Sequence, residues 1–150
     1  MTPSPAAVAL LERFLLACRT RTVGSLVRER MVPRPGDAAL AFGPEVAAAV
    51  EQAAAERFAS FRPDVDLHLP KPEQTELRVW AASVDELVAG HAEFPGGYAT
   101  VAPFLCPGPT WYRWRIAAPG ADDGLAYDGL VALGDRFAWF PKPWRLLPTQ

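Results

Sequence analysis

The sequence predicts an α+β domain in which N-terminal helices pack on a curved, mostly antiparallel sheet crossed by a C-terminal proline-rich strap. Apolar residues recur at helical spacing as far as Phe61. From Pro63 onwards the pattern changes to short apolar runs separated by proline and glycine, which is typical of strands and turns. The chain has 150 residues, half of them apolar, which suits one domain with its own core. We therefore expect residues 1–150 to form a single domain.

Three helices are predicted in the N-terminal part. Ser4-Pro5 combines an N-cap serine with proline in the first turn, and it begins a helix over Pro5–Arg19. Thr22 can cap a second helix that Pro33 ends, and Gly43-Pro44 begins a third. The apolar positions at helical spacing are Val8, Leu11, Phe14 or Leu15 and Cys18 in the first helix, Val23, Leu26, Val27 and Met31 in the second, and Val46, Val50, Ala54, Phe58 and Phe61 in the third. We expect all three helices to pack on one face of the sheet.

The rest of the chain reads as strands and turns. Strands are predicted over residues 64–69, 76–82, 98–104, 111–117, 125–133 and 136–140. Ser83 and Glu86 form a capping box that begins one short helix, which Gly90 can end. The tail from Pro141 to Pro148 is proline-rich, and we expect it to cross the surface as a strap.

The last two strands are joined by the two-residue turn Gly134-Asp135, which fixes their register. Leu130 then lies opposite Trp139, and Leu133 lies opposite Arg136. Both faces of this hairpin are apolar, whereas a sheet with one solvated face would alternate. Helices can cover one face, so the other needs the strap, a second subunit or the wall of a ligand cavity.

Asp128 is the candidate functional carboxylate. It lies in an otherwise apolar strand, on the face predicted to carry Leu130 and Trp139. Burial without a cation raises the pKa of a carboxyl group, which is how a general base arises in a dry pocket. Tyr112 and Trp114 alternate on the neighbouring strand and could line this pocket together with Trp139. The alternative is a structural pairing of Asp128 with a basic side chain, from Arg113, Arg115 or Lys142.

Lys142, Trp144 and Arg145 form a candidate protein-binding epitope in the tail, because Trp and Arg anchor many interfaces. The alternative is that Trp144 fills a gap in the core. The two interpretations give the tail different roles, one in recognition and one in stability.

Asp64, Asp66 and His68 would share one face of the first predicted strand. Two carboxylates and an imidazole on one face could bind a divalent cation or exchange protons. The simpler interpretation is the polar face of an edge strand. We expect no metal site here.

The cysteines indicate the compartment. Cys18 lies on the apolar stripe of the first helix, so we expect a buried free thiol, while Cys106 lies beside a turn and could be exposed. Two cysteines and two histidines so scattered do not suit a structural zinc site, and no cofactor is expected. Unpaired thiols and an N-terminus without a basic, apolar leader predict a cytoplasmic protein.

The order of elements, helices first and then a long meander, resembles the cone-shaped NTF2-like (SnoaL-like) domains. The endings 127–131 and 136–145 also resemble the tails of uncharacterised bacterial proteins. NTF2-like domains include isomerases, cyclases, dehydratases and plain binding modules. The resemblance therefore implies either an enzyme or a small-molecule binder.

Charge and hydropathy narrow the choice of function. The net charge is −2 without a basic tract, which argues against a nucleic-acid partner, and no apolar run approaches the ~20 residues that span a bilayer. Two hypotheses remain: a non-catalytic binding or protein-interaction domain of the adaptor or immunity type, or an NTF2-like small-molecule binder or enzyme that uses Asp128. The expected partner is a protein or a small molecule, with a homodimer as an alternative.

Overall fold

The computed structural model of the chain describes residues 1–149, apart from the side chain of Asp64. A four-stranded antiparallel sheet in the order β1-β2-β3-β4 carries helices on both faces, which confirms the predicted α+β class. The strands are β1 (Glu76–Ala82), β2 (Trp111–Ala117), β3 (Leu125–Leu133) and β4 (Arg136–Trp139). The helices are α1 (Pro5–Arg19), α2 (Val23–Arg30), α3 (Asp37–Ala41), α4 (Ala47–Ala59), α5 (Pro63–Asp66), α6 (Val84–Ala89) and α7 (Gly97–Val101), with 3-10 turns at Ala102–Phe104 and Pro143–Arg145. Within residues 1–149, no helix combines the length and the apolar composition that crossing a bilayer requires.

Helices α1 and α2 cover one face of the sheet. The first helix begins as predicted, because Ser4 Oγ accepts a hydrogen bond from the backbone N–H of Ala7 at 3.1 Å. In the core beneath it, the ring of Phe14 lies edge-on to Trp114 and Tyr127, with centroids 5.4 and 5.1 Å apart. Cys18 is a buried free thiol in the same core, as the apolar stripe predicts.

Helices α3, α4, α6 and α7 cover the opposite face together with the C-terminal tail. In this second core the ring of Phe42 lies edge-on to Trp111 and Phe140, with centroids 5.8 and 5.2 Å apart. The third predicted helix, α4, packs here, so the prediction that the three helices share one face is wrong. The reason is the hairpin of β3 and β4, which is apolar on both sides and needs a cover on each.

Two predicted strands are wrong, because their residues fold into short helices. In α5, which replaces part of the strand expected over 64–69, Asp66 Oδ2 accepts the backbone N–H of Arg62 at 2.7 Å. Residues 98–104 lie in α7 and the 3-10 turn after it, with Tyr98, Val101 and Ala102 buried. Buried positions three and four residues apart are helical, but a short apolar run does not by itself distinguish a helix from a strand.

A β-bulge at Gly129 interrupts the alternation of side chains along β3. Two successive residues of β2, Tyr112 and Arg113, pair with Leu130 and Asp128, so Gly129 is the extra residue. Its φ is +91°, and a Cβ atom there would lie 2.1 Å from a backbone carbonyl oxygen of the neighbouring chain segment. Glycine is therefore the residue that this position accepts.

Because of the bulge, the side chain of Asp128 points to the other face of the sheet from the one predicted. The predicted pairing of Leu130 with Trp139 is confirmed, and both residues belong to the core beneath α1 and α2. The carboxylate of Asp128, however, bonds to Tyr98 in the opposite core. The prediction that Asp128 shares a face with Leu130 and Trp139 is wrong, because it assumed strict alternation through Gly129.

Candidate functional site

The C-terminal strap, residues 141–148, packs across α7. The indole of Trp144 lies directly on the backbone of Gly97, where a Cβ atom would come within 2.2 Å of the ring. The same indole lies edge-on to the ring of Tyr98, with centroids 5.4 Å apart. Leu146 is 3% exposed and joins the core on this face of the sheet. The strap is therefore held by apolar contacts at its centre.

Asp128 joins the strap to the sheet. Its Oδ1 atom accepts hydrogen bonds from the hydroxyl of Tyr98 at 2.9 Å and from the backbone N–H of Lys142 at 3.0 Å. The indole N–H of Trp139 donates to the main-chain carbonyl of Asp128 at 2.7 Å. Burial raises the pKa of Asp128, although the two donors and the nearby charges of Lys142 and Arg113 favour the ionised form.

An open cleft of about 490 Å³ lies between the end of α4, the segment after α5, the start of β3 and the strap. We name it the strap cleft. Its aromatic lining consists of Phe58, Phe61, Tyr127 and Trp139. Phe58 lies edge-on to Phe61 with centroids 5.6 Å apart, and both rings lie within 6.4 Å of Trp139. Tyr127 and Trp139 are buried, so the half-buried rings of Phe58 and Phe61 are the aromatic surface that a ligand in the cleft can reach.

Three cationic side chains border the strap cleft: Arg57, Lys142 and Arg145. Arg57 is half-buried, and its guanidinium donates a hydrogen bond to the carbonyl oxygen of Pro141. Burial and the neighbouring charge of Arg145 lower the pKa of Arg57, while Asp128 acts in the opposite direction. A guanidinium remains protonated in proteins, so the two arginines hold like charges close to each other in the lining of the cleft.

Asp66 and His68 also line the strap cleft. Tyr127 donates its hydroxyl to the carbonyl oxygen of His68 at 2.5 Å, and this contact fixes the segment after α5 on β3. The side chain of Asp64, the third member of the cluster predicted there, is outside the described part of the chain. Among the described residues, no group of three or more His, Cys, Asp or Glu side chains could hold a metal ion.

The strap cleft brings together residues that the sequence assigned to two different sites. Asp128 and Trp139, predicted for a pocket, line it beside Lys142 and Arg145, predicted for an epitope. The other two predicted pocket residues and Trp144 lie elsewhere. Trp114 is fully buried beneath the stacked ring of Tyr127, the hydroxyl of Tyr112 bonds to Ser4 Oγ at 3.2 Å, and Trp144 packs on Gly97.

Sequence reasoning did not single out Arg57 or Asp37. Arg57 stands in the last turn of α4, where an arginine ordinarily stabilises the helix end, so nothing distinguishes it from an exposed residue. Asp37 is fully buried, and its carboxylate accepts hydrogen bonds from the two terminal nitrogens of the Arg136 guanidinium, one of them at 2.8 Å. Arg136 is a charged residue at the end of an apolar hairpin, and this position was the one indication in the sequence that a buried carboxylate pairs with it.

Comparison of the chain with protein-family models, with curated proteins and with solved structures gave no match.

Proposed function

We propose that this chain is a non-catalytic binding domain, and that the strap cleft holds a small apolar molecule carrying one anionic group. The observation that carries the proposal is the combination, in one cleft, of an aromatic lining with a border of Arg57, Lys142 and Arg145. An aromatic lining and a few polar groups that fix orientation are the usual composition of ligand sites.

The apolar part of the ligand follows from size and lining. A volume of about 490 Å³ lies within the range of small-molecule sites in proteins. Phe58 and Phe61 are half-buried and present their rings to the cleft above Trp139. Covering these rings with an apolar ligand removes their exposed surface from water, which is favourable in proportion to the area covered.

The anionic group follows from the charges at the strap end. Arg57 and Arg145 repel each other, and Asp128, the carboxylate whose charge acts on Arg57, has its Oδ1 committed to Tyr98 and Lys142. A carboxylate or sulfonate placed between the two guanidinium groups relieves this repulsion and accepts charge-assisted hydrogen bonds. A cationic ligand adds to the repulsion, so the cleft favours anions.

The non-catalytic assignment rests on what Asp128 does. Its Oδ1 already accepts two hydrogen bonds, and these fix the strap that forms one wall of the cleft. A general base must reach a substrate proton, and Oδ1 is already engaged by Tyr98 and Lys142, so we infer that this carboxylate holds the strap rather than acting on a substrate. Of the epitope predicted for a protein partner, only Lys142 and Arg145 are exposed, because Trp144 is packed on Gly97.

A second candidate function is an NTF2-like enzyme or small-molecule binder with Asp128 as a proton acceptor. The observation in its favour is the raised pKa of a carboxyl group in the wall of a cleft. In that case Asp128→Asn abolishes turnover of the substrate while ligand binding persists. In the binding-domain proposal the same substitution affects stability and leaves ligand affinity nearly unchanged.

Titration of three probes with the same apolar chain and different head groups tests the proposal. Decanoate, decanol and decylammonium are added separately while tryptophan fluorescence and calorimetric heat are recorded. We expect decanoate to bind, decanol to bind at least about tenfold more weakly, and decylammonium to bind more weakly still. Equal binding of all three probes contradicts an anion site.

Matched variants locate the site. Arg145→Gln removes a cation from the border of the strap cleft, and Arg62→Gln removes one from a nearby exposed position that does not line it. We expect only R145Q to weaken decanoate binding. Equal losses in both variants indicate a general charge effect and contradict the assignment of the cleft.

A further inference from the structure

A second groove, unrelated to the strap cleft, concentrates arginine. It has a volume of about 580 Å³ and lies between α1, the end of α2, residues 32–35 and the turn that joins β3 to β4. Its arginines are Arg13, Arg28, Arg30, Arg34 and Arg136, and its carboxylates are Glu29 and Asp135. The chain as a whole carries a net charge of −2, so this excess of positive charge is local. None of these residues lines the strap cleft.

Helix-end effects explain part of the cluster. Arg28 and Arg30 stand in the last turn of α2, where cations complement the helix dipole. Arg13 comes from the middle of α1 and Arg34 from the segment after α2, so the dipole does not account for them. Arg13, Arg30 and Arg34 are exposed and form no ion pair with a side chain that the structure describes. Their guanidinium groups are therefore available to a bound anion.

The buried carboxylate of Asp37 holds two of these arginines, Arg34 and Arg136, in place. Both oxygens of Asp37 bond to the guanidinium of Arg136, and Oδ2 also accepts the backbone N–H of Arg34 at 2.7 Å. Pro33 and Pro35 flank Arg34 and restrict the backbone there. The groove is thus partly preorganised, and preorganisation lowers the entropic cost of binding.

We propose that this arginine groove binds a small molecule bearing adjacent phosphate groups, of the nucleoside diphosphate class. A guanidinium group can donate two parallel hydrogen bonds to one phosphate. One phosphate engages only some of the arginines in this groove, so we expect a ligand with more than one phosphate group. Leu10, Val32 and Phe137 supply an apolar wall against which a base or another flat group can lie. This proposal does not depend on the ligand assigned to the strap cleft.

Calorimetric titration with ADP, without metal and at constant physiological ionic strength, tests the proposal. Arg13→Gln and Arg34→Gln remove groove cations, and Arg19→Gln is the matched control, because Arg19 lies on α1 outside the groove. We expect R13Q and R34Q each to weaken ADP binding by about tenfold, with R19Q close to the unmodified protein. All three are substitutions of exposed side chains, and unchanged melting temperatures without ligand verify intact folding.

Other results overturn the proposal. The absence of binding to ADP does so, as does an equal loss in R19Q, which indicates charge alone. Tighter binding of a short single-stranded oligonucleotide than of ADP assigns the groove to nucleic acid instead. R145Q in the strap cleft is expected to leave ADP binding unchanged, so failure at one site is distinguishable from failure at the other.

Discussion

The hydroxyl of Tyr98 donates a hydrogen bond to Asp128 Oδ1 at 2.9 Å. Tyr98 lies in α7, which the sequence predicts as a strand, and the sequence places the carboxylate of Asp128 on the other face of the sheet. This bond and the backbone N–H of Lys142 support an ionised group where water has little access. Burial nevertheless raises the pKa of Asp128, so desolvation outweighs the donors.

The pH dependence of stability in Asp128→Asn tests whether burial outweighs the hydrogen-bond donors in setting the pKa of Asp128. A raised pKa means that the folded chain binds this proton more readily than the unfolded chain, so the contribution of Asp128 to stability falls as pH rises from below about 4. Asparagine keeps an acceptor for Tyr98 and Lys142 and does not titrate. We expect the melting temperature of D128N relative to the unmodified protein to increase with pH over this range. A relative decrease with rising pH contradicts the shift.

Trp144→Ala tests whether the strap is structural. Because the indole packs on Gly97 and Tyr98, we expect a loss of about 3 kcal/mol in the free energy of unfolding, measured with urea. Gly97→Ala pushes the same ring away and should destabilise the protein when Trp144 is present but much less in the W144A background. A loss below about 1 kcal/mol in W144A favours an epitope instead.

Arg136→Met isolates the charge of Asp37. Removing the guanidinium leaves a fully buried carboxylate without its cation, and we expect a loss of about 3 kcal/mol in urea unfolding at neutral pH. Arg34→Met is the control, since only the backbone N–H of Arg34 bonds to Asp37. Similar losses in both variants refute the special role of the buried pair.

The same ion pair predicts acid sensitivity. Burial tends to raise the pKa of Asp37, but the bonds from Arg136 and Arg34 outweigh it, so the pKa lies below its ordinary value. The stabilisation is then present above about pH 4 and is lost as the pH falls below that. We expect R136M to lose less stability than the unmodified protein between about pH 4 and pH 2. Parallel acid profiles would show that Asp37 titrates independently of Arg136.

Cys18 provides a test of the first core. Burial raises the pKa of its thiol to about 12, so the reactive thiolate is scarce at neutral pH and the sulfur is also inaccessible. We expect a thiol reagent to modify one site, the half-buried Cys106, in native protein and a second site only in denaturant. The Cys106→Ser variant should therefore not react until it unfolds.

Local signals in the sequence were sufficient for much of the fold. The N-cap at Ser4, the capping box of Ser83 and Glu86, and the turn at Gly134 all act within a few residues, and the structure has each of them where predicted. The pairing of Leu130 with Trp139 followed from that turn. Such features are predictable because the chain near them has few alternatives.

The candidate site was less predictable, because its geometry depends on contacts between distant parts of the chain. A glycine inside a strand pattern often marks a bulge, but the predicted register treated Gly129 as part of a regular strand, and the bulge decides which core receives Asp128. The strap cleft joins Arg57 of α4 to Lys142 of the strap, and only the packed tail brings them together. In residues 98–104 the buried positions have helical spacing, but in so short an apolar run this spacing cannot be told from that of a strand.

The carboxylate of Asp128 accepts a hydrogen bond from the strap, and its main-chain carbonyl accepts one from the Trp139 indole. The strap therefore cannot detach without disturbing the sheet. Detaching the strap leaves a desolvated oxygen short of a donor and uncovers the ring of Tyr98 at the same time. The amide proton of Lys142 should therefore exchange with solvent as slowly as those of the central strands. By this measure the strap and the sheet belong to one cooperative folding unit.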